Sequence, residues 1–214
     1  MANNLARWML TIAAALLATG CRPLLVPQSH VGYYLDRQML PGRVHNVVFL
    51  PLANDTGYPP VSEGTTTALF QAIQGRQLFY ITLAQLPETP ADGNPVDVRK
   101  AFTLRDLAQM RQSFGSDAVL IGTVTQFHPY PRMQLGLYLR LLDLRDSRII
   151  WSVDHVWDAT DKATQTRMEA YFHDQRGAGF DPITWRLTVV SPAEFEQFVA
   201  YEVVGTLPKP GDRR

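Results

Sequence analysis

The sequence predicts an α/β (α+β) domain built on a mixed sheet of about five strands, in the order β-α-β-α-β-β-β, with flanking helices and a C-terminal helix. Three observations carry this expectation. Apolar, β-branched runs alternate with segments of helical period through the first half of the chain. A ladder of leucines at every second position follows, the pattern of a half-buried antiparallel hairpin. Near the end, Ser191-Pro192-Ala193-Glu194 combines a capping box with Pro at the first helical position. Helix-connected strands followed by a meander fit one mixed sheet with helices packed on it.

The elements follow in order. Val44 to Leu52 is an apolar strand, ended by Pro51 and the turn-rich Asn54-Asp55-Thr56-Gly57. Ser62 is placed to cap a helix through about Arg76, with Val61, Ala68, Leu69, Ala72 and Ile73 at helical spacing. Leu78 to Ala84 is the second strand, and 86–96 is a Pro/Gly/Asp-rich loop. Thr103 and Asp106 make a capping pair for a helix with Leu104, Leu107, Ala108 and Phe114 on one face, ended by Gly115. Asp117 to Phe127 is the third strand. In the hairpin, Met133, Leu135, Leu137, Leu139 and Leu141 share a face, and the turn lies near 145–147. The return strand runs from about Ile149 to Trp157, with Ile149, Trp151, Val153, His155 and Trp157 on one face. Ala159 to His173 has helical character, and the helix after Ser191 turns Phe195, Phe198, Val199 and Val203 inward.

Length and composition narrow the function classes. A chain of 214 residues with 46% apolar and 19% charged residues buries enough surface to need neither a disulfide nor a metal staple. Lys and Arg together number 20, as do Asp and Glu, so no basic excess points to a nucleic acid. The single cysteine, Cys21, rules out an intrachain disulfide.

That cysteine follows a segment with the character of a secretory signal. Residues 1–20 contain Arg7, then an apolar run of 12 residues from Trp8 to Thr19, too short for a membrane-spanning helix of about 20 residues. Ala18-Thr19-Gly20-Cys21 resembles the bacterial lipoprotein box, with Ala18 where Leu is usual. The resemblance implies cleavage before Cys21 and lipidation of its sulfur, with acyl chains of the palmitate class anchoring the chain in a membrane. Arg22, standing where Asp would mark inner-membrane retention in enteric-type sorting, implies the outer membrane, with the domain facing the periplasm. The expected organisation is a signal peptide at 1–20, a lipidated Cys and tether at 21–43, an α/β core at 44–158, a C-terminal helical extension at 159–207 and a frayed tail at 208–214. At about 3.3 Å per residue, such a tether reaches as far as about 70 Å.

The middle of the chain resembles a family. Val47-Val-Phe-Leu-Pro-Leu-Ala-Asn-Asp-Thr56 is similar to the first strand of bacterial envelope lipoproteins with a CsgG-like or TolB-N-terminal-like α/β domain. Ser116-Asp-Ala-Val-Leu-Ile-Gly-Thr-Val124 resembles their third strand, and Ile149-Ile150-Trp151 their last. The family includes the curli secretion lipoprotein, a penicillin-binding-protein activator, and flagellar and Pel polysaccharide export lipoproteins. Over residues 44–157 the resemblance implies a periplasmic binding module, in some members a ring. It supplies no active-site residue.

No motif in the chain carries catalysis. A Gly-x-Ser-x-Gly elbow is absent, and the only thiol is the one expected to be acylated. The five histidines, at 30, 45, 128, 155 and 173, form no ligand pair on one helix face, so neither a metal nor another cofactor is expected. Arg176-Gly-Ala-Gly179 lacks the strand and Lys of a phosphate loop. The leucine ladder has the length of a membrane β-strand, but its return strand mixes polar and apolar residues on both faces, as a core sheet does. The partner-binding candidates are Tyr58, Pro59 and Pro60 after the Asn-Asp-Thr-Gly turn, and Tyr130 between Pro129 and Pro131. Rigid, Pro-flanked tyrosines give contact area at low entropic cost. Asn54 and Thr56 are expected to bond within their own turn. The expected function is non-enzymatic: assembly, regulation or support of an envelope complex through protein contacts. The alternative is a subunit of a homo-oligomeric secretion or export ring, and a periplasmic hydrolase stands third.

Overall fold

The computed structural model describes residues 30–38, 40–85, 103–176 and 191–209. In chain order these form β1 (Tyr33–Leu35), α1 (Leu40–Arg43), β2 (Asn46–Phe49), β3 (Ala53–Asn54), α2 (Pro60–Arg76), β4 (Tyr80–Leu83), α3 (Leu104–Phe114), β5 (Ala118–His128), β6 (Gln134–Asp143), β7 (Ile149–Asp158), α4 (Lys162–Arg176) and α5 (Pro192–Gly205). The sheet order is β1-β7-β6-β5-β2-β4, with β3 also paired to β5. β2 runs parallel to β4 and β5, while β5, β6, β7 and β1 are antiparallel. The fold is thus α/β on a mixed sheet, in the order expected, with two short strands added.

The two faces of the sheet differ. The leucines of β6 at 135, 137, 139 and 141 are buried in the larger core with Phe49, Leu120, Trp151 and Trp157, beneath Leu69 and Ile73 of α2 and Phe195, Phe198 and Val203 of α5. Met168 and Phe172 of α4 enter the same core. Each such side chain, fully buried, contributes about 1.5–3 kcal/mol. A smaller cluster on the opposite face joins Val48, Val119, Ile121 and Leu142 to Leu107 of α3. The hairpin leucines therefore line a helix-covered core, as the mixed return strand implied. No described helix is long and apolar enough to cross a membrane.

Local chemistry explains the element ends. Thr103 and Asp106 close the expected capping box at α3, which ends on Gly115 at φ 61°. The Asp106 carboxyl is held below its usual range by hydrogen bonds from the Thr103 backbone and side chain. Asp117 accepts from the backbone N–H groups of His45 and Asn46, tying the start of β2 to β5. Burial raises this carboxyl, but those two bonds and Arg145 outweigh it and hold it low.

Several expectations are corrected. Ser62 lies inside α2, its hydroxyl donating to the Pro59 carbonyl, because Pro60 starts the helix. Ser191 stands at the N-cap of α5 but makes no side-chain cap bond. Ala108 and Phe114 of α3 are exposed, since that helix meets the sheet chiefly through Leu107. A register shift opposite Leu141 and Leu142 turns Ile150 inward and leaves Ile149 exposed. The stretch at 33–43, expected in the tether, belongs to the domain: β1 pairs with Val153, Ser152 and Trp151 of β7, and Val31 and Leu40 are buried. Eight residues, 22–29, then separate Cys21 from His30, and an extended chain over that span reaches about 30 Å rather than 70 Å. The Pro/Gly/Asp-rich loop at 86–96, the Gly-rich 177–179 and the tail beyond 209 lie outside the described residues.

Candidate functional site

One end of the sheet gathers the two expected aromatic segments. Tyr58 sits in the turn between β3 and α2, and Tyr130 in the turn between β5 and β6. Asn54 organises the first turn. Its side-chain oxygen accepts from the Thr56 N–H at 2.8 Å and the Thr56 hydroxyl at 2.7 Å, and its amide donates to the Tyr58 carbonyl at 2.9 Å. The Thr56 hydroxyl in turn accepts from the Tyr58 N–H at 3.2 Å. The expectation that Asn54 and Thr56 serve the turn therefore holds. Pro59 and Pro60 are the cap and first residue of α2, so their rings fix where the helix leaves the loop.

Phe127, at the end of β5, links this turn to the next one. Its ring lies 5.1 Å from that of Tyr58, tilted by 42°. Tyr58 remains 41% exposed and Tyr130 79% exposed. The Tyr130–Pro131 bond is cis, and buried Met133 anchors the far side of the turn, its carbonyl accepting from the Ala159 N–H.

A polar ladder stiffens the same end across three strands. Gln126 donates to Gln134 at 2.8 Å, and Gln134 donates to Asp158 at 2.6 Å. The other Asp158 oxygen accepts from the N–H and hydroxyl of Thr160. Burial raises the Asp158 carboxyl, yet the Thr160 and Gln134 bonds with nearby Arg132 outweigh it and hold the group ionised below the usual range. This tip presents aromatic rings on Pro-bounded turns, with His128 and Arg132 exposed beside them. Phe127 and the Gln126–Gln134–Asp158 ladder have no local motif, because the partners are joined only by strand register.

Truncating Asn54 to Ala removes the hub of the first turn. The expected loss is about 1–2 kcal/mol of unfolding free energy, together with faster amide exchange at Thr56 and Tyr58. Unfolding in urea and amide hydrogen exchange check both.

Cys21, the expected lipidation residue, lies outside the described residues. Among the described residues no three His, Cys, Asp or Glu side chains converge as a metal site. His155 is half-buried against Trp157, with ring centroids 4.7 Å apart.

The chain matches no protein-family profile, and no curated protein is significantly similar to it in sequence. It is similar in structure to the PelC dodecamer subunit of Paraburkholderia phytofirmans, with 14% identity, 77% of this chain and 96% of that chain covered, and a TM-score of 0.45. It is also similar to lipoprotein GNA1162 of Neisseria meningitidis, with 16% identity, 64% and 99% covered, and a TM-score of 0.43. LpoB of E. coli gives 16% identity, 64% and 74% covered, and a TM-score of 0.37.

Proposed function

We propose that this chain is a lipid-anchored periplasmic protein of the outer membrane that supports an envelope complex by protein contact through the Tyr58–Tyr130 tip. The observation that carries the reading is the placement of the sole cysteine after an apolar run from Trp8 that ends in the small residues Ala18, Thr19 and Gly20. The fold adds a geometric consequence. β1 is antiparallel to β7, so the chain enters the sheet from the Asp158 end, which is the end that bears the tip. An eight-residue tether then keeps this end within about 30 Å of the membrane surface, and the partner is one that stands close to that membrane. The role is binding rather than catalysis.

Cys21→Ser tests the anchor. The variant is expected to leave the membrane fraction and to lose the lipid mass on its N-terminal peptide, while the domain keeps its melting temperature. Retention in the membrane with an unmodified Cys21 in the parent chain would sink the reading. A photo-crosslinker at Tyr130 tests the tip. It should capture a discrete envelope partner, and the capture should drop severalfold with Tyr58→Ala.

A further inference from the structure

Among the described residues, the sheet face opposite the larger core is covered only over its parallel half, by α3. Past Ile121, the side chains of β5, β6 and β7 on this face form two rows. Ile121 stands opposite Arg140 and Arg140 opposite Ser152; Thr123 stands opposite Tyr138 and Tyr138 opposite Asp154. Together with Asp55 and Thr125 these rows line a half-open trough of about 310 Å³. That volume lies at the small end of ligand pockets.

Three polar groups in the trough, on Thr123, Arg140 and Asp154, have no hydrogen-bond or ion-pair partner among the described residues. The Thr123 side chain is only 7% exposed, and its hydroxyl has no hydrogen-bond partner among the described residues. A hydroxyl without a protein partner is open to a bound donor or acceptor. Arg140 holds its guanidinium carbon 5.2 Å from the centroid of the Tyr138 ring. The aromatic ring thereby fixes the cation in place. Arg140 makes no ion pair with any described residue, and neither does Asp154. The two sit diagonally on neighbouring antiparallel strands, at positions about 7–8 Å apart, close enough for one small molecule to touch both.

We propose that this trough binds a small zwitterion of the α-amino-acid class, its carboxylate on the Arg140 guanidinium and its ammonium on Asp154. A planar guanidinium fork matches a carboxylate in two-pronged geometry. Tyr138 supplies the ring between the two charges, and the hydroxyls of Thr123 and Thr125 supply further hydrogen bonds to the carboxylate. A ligand with a single charge meets one favourable and one unfavourable neighbour. The trough lining includes neither Tyr58 nor Tyr130, so the two sites can be tested apart.

Amide NMR shifts of the ¹⁵N-labelled full chain in detergent micelles read the binding, with L-alanine and L-alanyl-L-alanine as probes. N-acetyl-L-alanine and L-alaninamide carry only one of the two charges and serve as controls. Saturable shifts at Thr123, Thr125, Arg140 and Asp154 are expected with at least one zwitterion, and at least tenfold weaker binding with both controls. Arg140→Gln and Asp154→Asn should each weaken binding by tenfold or more, and Thr123→Val by about threefold to tenfold, with unchanged melting temperatures. No saturable shift by about 50 mM of either zwitterion overturns the proposal. So does equal binding of acetylalanine, or binding that survives both Arg140→Gln and Asp154→Asn.

Discussion

Replacing Arg167 with Met is expected to lower the unfolding free energy by about 3–5 kcal/mol. Arg167 of α4 and Glu202 of α5 are 8% and 5% exposed. The Arg167 Nε donates to both Glu202 oxygens, at 3.0 and 3.2 Å, and a terminal N–H₂ group donates to the Thr164 hydroxyl at 3.2 Å. The Trp157 indole N–H donates to the same carboxylate at 3.0 Å, so the network ties α4, α5 and β7 together. A Met fills much of the aliphatic volume of Arg but leaves the Glu202 charge with one donor in a desolvated site. The cost therefore comes from the stranded carboxylate more than from the lost attraction. That distinction is testable: Arg167→Met combined with Glu202→Gln should recover most of the loss, because no buried charge remains. Urea unfolding of the parent, the two single variants and the double variant closes the cycle. At about 2–4 °C per kcal/mol for a chain of this size, the single variant should melt roughly 10 °C lower.

His155 gives the same substitution a second readout. Burial pushes its imidazole below the ordinary value, Glu202 pulls it up and Arg167 pushes it down. Removing Arg167 takes away the lowering charge and leaves Glu202 and Asp154 to raise the imidazole against burial alone. The His155 titration followed by NMR is expected to move to higher pH in Arg167→Met and to return toward the parent value in the double variant. A cost below about 1 kcal/mol with a stationary His155 would show that the pair is solvated in solution and that α4 docks through Met168, Phe172 and Tyr171 alone.

The parts of the fold that were legible in the sequence are those whose signal is local. The leucines of β6 repeat at period two and all reach the core. Thr103 and Asp106 stand three residues apart and close their box within one turn. Two features hid for a different reason. β1 is three residues long and is a strand only because β7, more than a hundred residues later, offers it an edge. The Ile149 and Ile150 pair reads as strict alternation until the bulge opposite Leu142 is known. The candidate tip divides in the same way. Tyr58 and Tyr130 are conspicuous beside their prolines, while the contact through Phe127 and the ladder from Gln126 to Asp158 exist only in the register of the folded sheet. Charges on α5 were the most concealing. Glu196 and Glu202 interrupt an otherwise apolar segment and suggest a solvent face, whereas the helix is buried nearly all round, with Ala193, Gln197 and Tyr201 as its exposed stripe.

Glu196 leads to the second large effect, a loss of stability as the pH rises through neutrality. Its side chain is 6% exposed on the face of α5 that packs against α2. A Cβ on Gly64 of α2 would lie 2.2 Å from a Glu196 carboxylate oxygen, so the glycine provides the space that the carboxyl fills. No described residue hydrogen-bonds or pairs with this carboxyl. Burial alone pushes it up to about 7 from 4.5. The folded state therefore holds a proton that the unfolded chain releases near pH 4.5. The carboxylic acid form is accommodated in full below that pH. Between about pH 4.5 and 7 the unfolding free energy falls by roughly 1.4 kcal/mol per pH unit from this group, and above 7 the cost levels off near 3 kcal/mol. Glu196→Gln keeps the shape and removes the titration. Relative to the parent it should gain about 3 kcal/mol between pH 5 and pH 8, whatever offset the buried amide itself introduces. Urea unfolding at the two pH values measures that difference of differences. A value near zero would mean that water or a cation reaches the carboxylate between α2 and α5, and that the contact with Gly64 is not tight in solution.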